Sequence, residues 1–170
     1  MKELTQAEKL DLEVRKRATK IRGAYLDMSC DLEFLLVDIA CICLMKDKTE
    51  RENVRNIFLE QTYMSKKITI AEMALKTYNC SYYEKYITHF NKFRELTGWR
   101  NKFAHSIIKG DSKQGDFDLL IFQYIKDGEM KETPENFLKL LDKLKEYASF
   151  IHSMASEIIP ILYYERHIGL

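Results

Sequence analysis

From residue 10 to residue 42, the apolar residues Leu10, Val14, Ile21, Tyr25, Met28, Leu32, Leu35, Ile39 and Ile42 recur at steps of three, four or seven. That interval lays side chains along one face of a helix. Thr5-x-x-Glu8 just ahead of the run is a capping box. The spacing therefore predicts one very long helix from near Gln6 to about Lys46, with Gly23 as the place where it would bend. The whole chain of 170 residues holds only two prolines and six glycines, so its other segments are also long and unbroken, which favours helix.

Further starts and stops follow. Thr49-x-x-Glu52 is a second capping box, leading Val54, Ile57 and Phe58 into a short helix that ends near Gln61. Residues 63–67 read as a loop. Thr69-x-x-Glu72 then caps a third helix containing Ile70, Met73 and Ala74, and residues 79–81 break it. Tyr82, Tyr86, Phe90 and Phe93 form an aromatic stripe on a fourth helix, a spacing that more often serves a core than a base-stacking platform. Gly98 separates this helix from another that runs to about Lys109. After a polar loop at 110–115, residues 119–125 are β-branched and aromatic. Asp127-Gly128 is a type I′ turn signal, giving a two-stranded hairpin over 117–131. Thr133 caps the last helix with Pro134 in its first turn. Phe137, Leu140, Leu141, Leu144, Tyr147, Ile151, Met154 and Ile158 then form its apolar face, and Pro160 ends or kinks it. The expected fold is an all-α bundle of five to six helices in a single domain spanning 1–170. Its first and last helices are the longest and pack antiparallel, and the hairpin is inserted before the last.

A net charge of +1 argues against a protein that coats nucleic acid, so any such contact must come from a local patch. Arg15, Lys16, Arg17, Lys20 and Arg22 crowd the early turns of the first helix, either as a solvated face or as a stripe that tracks phosphates. Cys30, Cys41, Cys43 and Cys80 include no Cys-x-x-Cys pair, and no histidines sit at ligand spacing, so no zinc site is expected. Cys41 and Cys43 read as small buried residues. The longest apolar run, 34–45, contains Asp38 and is too short to span a bilayer. The charged start without a signal peptide points to a cytoplasmic protein. His89, His152 and His167 have no assigned role.

Residues 98–105, Gly-Trp-Arg-Asn-Lys-Phe-Ala-His, concentrate the chemistry. Arg100 carries a permanent charge and a fork that fits phosphate oxygens. Asn101 can donate and accept, and His105 changes charge near neutral pH. On a helix Asn101 and His105 share a face, with Arg100 one step round, while Phe103 and Ala104 point away to anchor the turn. A face of Arg, Asn and His suits a phosphodiester, although a surface helix with a scattered Arg and His has the same spacing.

Arg100-Asn101-x-x-Ala104-His105 resembles the Arg-x4-6-His signature of the HEPN superfamily, including the polar residue that often follows its arginine. Ser29-x3-Glu33-x2-Leu36 on the first helix resembles that superfamily's first core helix, which commonly bears an acidic residue, and the likeness extends over residues 21–108. It implies a small helical domain, often dimeric, that acts as a metal-independent endoribonuclease without cofactors or that binds RNA, a nucleotide or a protein without cutting. Its implied catalytic set is Arg100, Asn101, His105 and Glu33, with Asp31 as the alternative carboxylate beside Arg100. Arg15, Lys16, Lys20, Arg22 and Lys102 would contact RNA. Each chain supplies one motif histidine while the reaction needs an acid and a base. A homodimer is therefore expected, with two His105 side chains in one cleft and Trp99 and Phe103 at or just under the interface. An antitoxin partner and a toxin or phage-defence role would fit such an enzyme.

Overall fold

A computed structural model of the chain describes residues 5–111 and 116–168, and within them five helices and three strands. In order these are α1 (Gln6–Leu44), α2 (Lys48–Gln61), α3 (Met64–Tyr78), α4 (Cys80–His105), β1 (Ile107–Asp111), β2 (Asp116–Lys126), β3 (Glu129–Asn136) and α5 (Phe137–Ile168). The protein is mostly helical with a small antiparallel sheet. The chain divides into two compact units. Unit 1 comprises Met1–Asp27 and Gly98–Glu146; unit 2 comprises Met28–Thr97 and Tyr147–Leu170. Helices α1, α4 and α5 each contribute one part to each unit.

The capping box at the start of α1 forms as the sequence requires. Thr5 N donates to Glu8 Oε2 at 2.7 Å and Glu8 N donates to Thr5 Oγ1 at 3.3 Å. The helix passes Gly23 and ends two residues before the expected stop. In unit 1, Val14, Ala18, Ile21 and Tyr25 of α1 are buried with Phe103, Leu120, Phe122, Phe137 and Leu140. In unit 2, Leu32, Leu36 and Ile39 are buried with Ile68 and Leu75 of α3, Phe90 and Phe93 of α4, and Met154, Ile158 and Leu162 of α5. Tyr86, Phe90 and Phe93 of the aromatic stripe are thus core, as are Cys41 and Cys43, while Tyr82 at its start is half-buried. His89, half-buried in unit 2, meets Ser153 Oγ at 3.1 Å, and burial lowers its pKa.

Several local expectations are corrected. Asp47, not Thr49, caps α2, accepting from Thr49 N and Glu50 N. Helix α3 begins at Met64, so most of the expected 63–67 loop is helical. Thr69 lies inside α3 with its hydroxyl donated to Ser65 O. Gly98 does not interrupt α4. A glycine costs about 1 kcal/mol in a helix, which the buried Phe93, Leu96 and Phe103 around it outweigh. A Cβ at Gly98 or Gly23 would meet nothing within 4 Å. Gly98→Ala and Gly23→Ala are accordingly expected to stabilise the protein by about 0.4–1 kcal/mol each, a rise of about 1–4 °C in a thermal unfolding scan. A fall in Tm would show that the backbone needs the glycine.

The hairpin forms with its turn at Asp127 and Gly128, whose φ values are 55° and 78°. It is extended by a strand, β1, over residues expected to be partly helix and partly the 110–115 loop. β1 pairs with β2, giving the order β1-β2-β3; residues 112–115 of that loop lie outside the described residues. Gly110 lets β1 approach α1, since a Cβ there would lie 2.7 Å from Val14 Cγ2. Thr133 and Pro134 belong to β3, an edge strand that tolerates proline's missing N–H. The cap of α5 is Asn136, whose Oδ1 accepts from Lys139 N. Helix α5 continues through Pro160, with Ile158 and Leu162 fully buried on either side.

α1 and α5 are the two longest helices, but they run parallel, not antiparallel. In unit 1, Arg17 lies over Phe137 and Tyr25 Oη donates to Leu140 O at 3.1 Å. In unit 2, Arg166 donates to the carbonyls of Ile42 and Cys43. Within unit 1 the numbering rises together along the two helices, from Arg17 on Phe137 to Tyr25 on Leu140. Helix α4 runs against α1 within unit 1, with Trp99 and Phe103 on Tyr25 and Ser106 O on Arg22, and against α5 within unit 2, with Tyr82 on Glu165 and His89 on Ser153. It therefore returns the chain to the start of α1, and the three-stranded meander keeps it there, so α5 sets off in the direction of α1.

Among the described residues no helix is long and apolar enough to cross a membrane.

Candidate active site

The last two turns of α4 are held by their aromatic side. Phe103 is fully buried, its ring centroid 4.5 Å from Tyr25 and 5.0 Å, edge-on, from Phe122. Trp99 is half-buried against the same cluster, with Lys102 Nζ and Lys143 Nζ 4.8 and 4.7 Å from its ring. With Phe103 facing inward, helical geometry turns Asn101 and His105 outward together, and both are exposed. Arg100 Nη1 donates to Asn101 Oδ1 at 3.2 Å. Ala104, expected to help anchor the turn, is exposed.

His105 is the final residue of α4, and Ser106 N closes the helix on Lys102 O at 3.0 Å. Arg22 reaches across from α1 and donates from Nη2 to Ser106 O at 2.9 Å. Its cation thus satisfies a carbonyl at the end of the helix, where the macrodipole is negative. Arg22 holds the end of the helix that carries His105. Arg22→Met should cost about 1.5–3 kcal/mol, the worth of a hydrogen bond to a charged group, read as a lower midpoint in urea. An unchanged midpoint would mean that the carbonyl is served by water instead.

His105 and Asn101 open onto a groove of about 580 Å³ lined by Asn101, Lys102, His105, Ser106, Tyr124, Ile125 and Lys126. Its second wall is the end of β2, brought there because Ile107 of β1 pairs with Gln123. Ser106 is 6% exposed, and its Oγ is buried without a hydrogen-bond partner among the described residues, as is Arg22 Nε.

Of the other expected site residues, Lys102 lines this groove and the rest do not. Arg100 does not line the groove; it is linked to it through Asn101. Glu33 is in unit 2, where it forms an ion pair with the buried Lys67. The carboxylate expected beside Arg100 therefore has a different partner. The alternative, Asp31, is exposed in unit 2 and borders a cleft with His152. Lys102 is bound to Glu135 at 2.7 Å, so its charge is balanced. Arg15 pairs with Asp11 at 2.8 Å along α1. Lys16 and Lys20 are exposed and line a second cleft with Arg17, Asp118 and Phe137. Asp118 and Ile125 are both on β2, which places the two clefts about 20 Å apart along the strand. Phe103, expected at or just under a dimer interface, is fully buried in the core of unit 1. The exposed apolar residues near His105 are Ile107, Ile125 and Met130, which the register puts on the outer face of the sheet.

No family model, no curated protein and no solved structure matches this chain. The site is therefore argued from its own residues. Among those described, no three His, Cys, Asp or Glu side chains are grouped to hold a metal ion. What the groove presents is one imidazole, one amide, a hydroxyl, an aromatic ring and the Lys126 cation, which together can hold an anion and move a proton. Sequence reasoning missed Ser106, Tyr124 and Lys126. The paired isoleucines at 107 and 108 with Gly110 following were the one signal of a strand there.

Proposed function

We propose that this protein is a metal-independent endoribonuclease of HEPN type that cuts RNA by attack of a ribose 2′-OH on the adjacent phosphorus, leaving a 2′,3′-cyclic phosphate and a 5′-OH. The observation that carries this reading is the exposed pair Asn101 and His105 at one wall of a groove whose other wall supplies Tyr124 and Lys126. His105 takes the 2′ proton or gives one to the leaving oxygen. Asn101 orients the phosphate, and Arg100, tethered to it, steadies the charge that grows on the phosphorane. Lys126 holds a neighbouring phosphate, and Tyr124 offers a ring to a base. The unpartnered Ser106 hydroxyl would find its partner in a substrate oxygen or a water in the groove.

One motif histidine per chain leaves the second proton transfer without a group of the same kind. A two-fold dimer through the outer sheet face at Ile107, Ile125 and Met130 would bring a second His105 to the same cleft. RNA spanning both clefts of unit 1 would also reach Lys16 and Lys20. A cytoplasmic toxin or defence enzyme held by an antitoxin fits this activity.

A second reading is a HEPN-like module that binds RNA, a nucleotide or a protein without cutting it. The balanced charge of Lys102 and the position of Arg100 outside the groove favour it. The test is incubation of the purified chain with structured and single-stranded RNAs in EDTA, with analysis of the ends. Cyclic phosphate ends support the enzyme; intact RNA bound with undiminished affinity by His105→Ala supports the module.

A further inference from the structure

Unit 2 contains a cavity of about 290 Å³ lined by Asp38, Cys41, Ile42, Lys48, Arg51, Glu52, Arg55 and Tyr163. Arg51 sets it apart. The residue is 8% exposed, and its Nη1 is buried with no hydrogen-bond partner among the described residues. Its guanidinium lies over the Tyr163 ring, with Cζ 5.7 Å from the centroid. A guanidinium cannot shed its proton at any ordinary pH, so burial leaves it charged and in need of a counter-charge. Lys67, likewise a deeply buried cation of this unit, has one in Glu33. Asp38 in the cavity wall is bound to Arg55 at 3.2 Å. Lys48, Arg51 and Arg55 face two carboxylates, Asp38 and Glu52, so the lining carries one positive charge in excess.

We infer that this cavity binds a small molecule through an oxyanion, phosphate or carboxylate, that pairs with Arg51. Lys48 and Arg55 stand beside the anion, and the apolar body of the ligand lies against Tyr163 and Ile42. The fork of Arg51 suits either head group. This assignment is independent of the reading of His105.

The experiment titrates the full chain with inorganic phosphate, phenyl phosphate and benzoate at constant ionic strength, following Tm and heat of binding. Phenyl phosphate or benzoate should raise Tm in a saturable way, and the stronger of the two identifies the head group. Arg51→Met should abolish the rise. It should also unfold at a higher temperature than the wild-type protein without ligand, because it replaces a buried, unpaired cation by an apolar chain. Lys48→Ala, at an exposed position, should leave the ligand-free Tm unchanged and weaken binding about two- to fivefold, the yield of a solvent-exposed ion pair. The inference is overturned if no probe shifts the wild-type protein, if Arg51→Met keeps the response or melts lower without ligand, or if Lys48→Ala binds as tightly as the parent.

Discussion

On the proposed endoribonuclease activity, replacing His105 by Ala is expected to lower the rate of RNA cleavage by about 10²–10⁴-fold, the usual worth of a positioned general acid or base, while RNA affinity stays within about twofold. The separation is expected because the imidazole is one exposed group at the end of α4, whereas Asn101, Tyr124 and Lys126 remain to hold the strand. The fold should not suffer, since His105 makes no hydrogen bond or ring contact with another described side chain and the α4 terminus is closed by Ser106 and Arg22. Arg100→Ala is expected to lower the rate by about 10²–10³-fold, in line with the loss of one charge-stabilising donor. DNA of the same sequence should survive, because it has no 2′-OH. The rate should be indifferent to EDTA. Cleavage at the parent rate by His105→Ala would remove the histidine from the mechanism, and a 3′-phosphate formed without a cyclic intermediate would remove the mechanism itself.

Glu33→Ala should be among the most destabilising single changes in unit 2. Lys67 has a side-chain exposure of 1%, and Glu33 is its carboxylate partner. Removing one partner of a buried pair leaves an uncompensated charge and costs about 3–5 kcal/mol. Glu33 itself is one-third exposed, so water offsets part of that and the lower end applies. A loss of that size lowers the Tm of a chain of this length by about 6–12 °C. Replacing both partners, as Glu33→Leu with Lys67→Met, should recover most of it, because two apolar side chains need no counter-charge. The same residue was a candidate for catalysis, and Glu33→Gln separates the roles. A lower Tm with cleavage retained in the folded fraction marks Glu33 as a structural partner of Lys67. An unchanged Tm with cleavage lost marks it as part of the site and sinks the structural account.

Where interactions are local, the sequence already determined the outcome. Capping of α1 by Thr5 and Glu8 depends on residues three apart. The path of α1 through 39 residues depends on an apolar period that never slips, and the Asp127-Gly128 turn depends on two adjacent residues that accept positive φ. The inward Phe103 and outward Asn101 and His105 follow from helical spacing in the same way. Competition between distant segments was decided only by the tertiary structure. Residues 107–111 have too little local preference to declare themselves a strand, and pairing with β2 makes them one. The parallel course of α5 follows from where α4 delivers the chain, which no period in α5 records. Glu33 could have met any cation its helix face reached; packing of α3 gave it Lys67. The groove itself joins a helix end to a strand about 20 residues further along, and loop closure at that separation is governed by the register of the sheet, not by either segment alone.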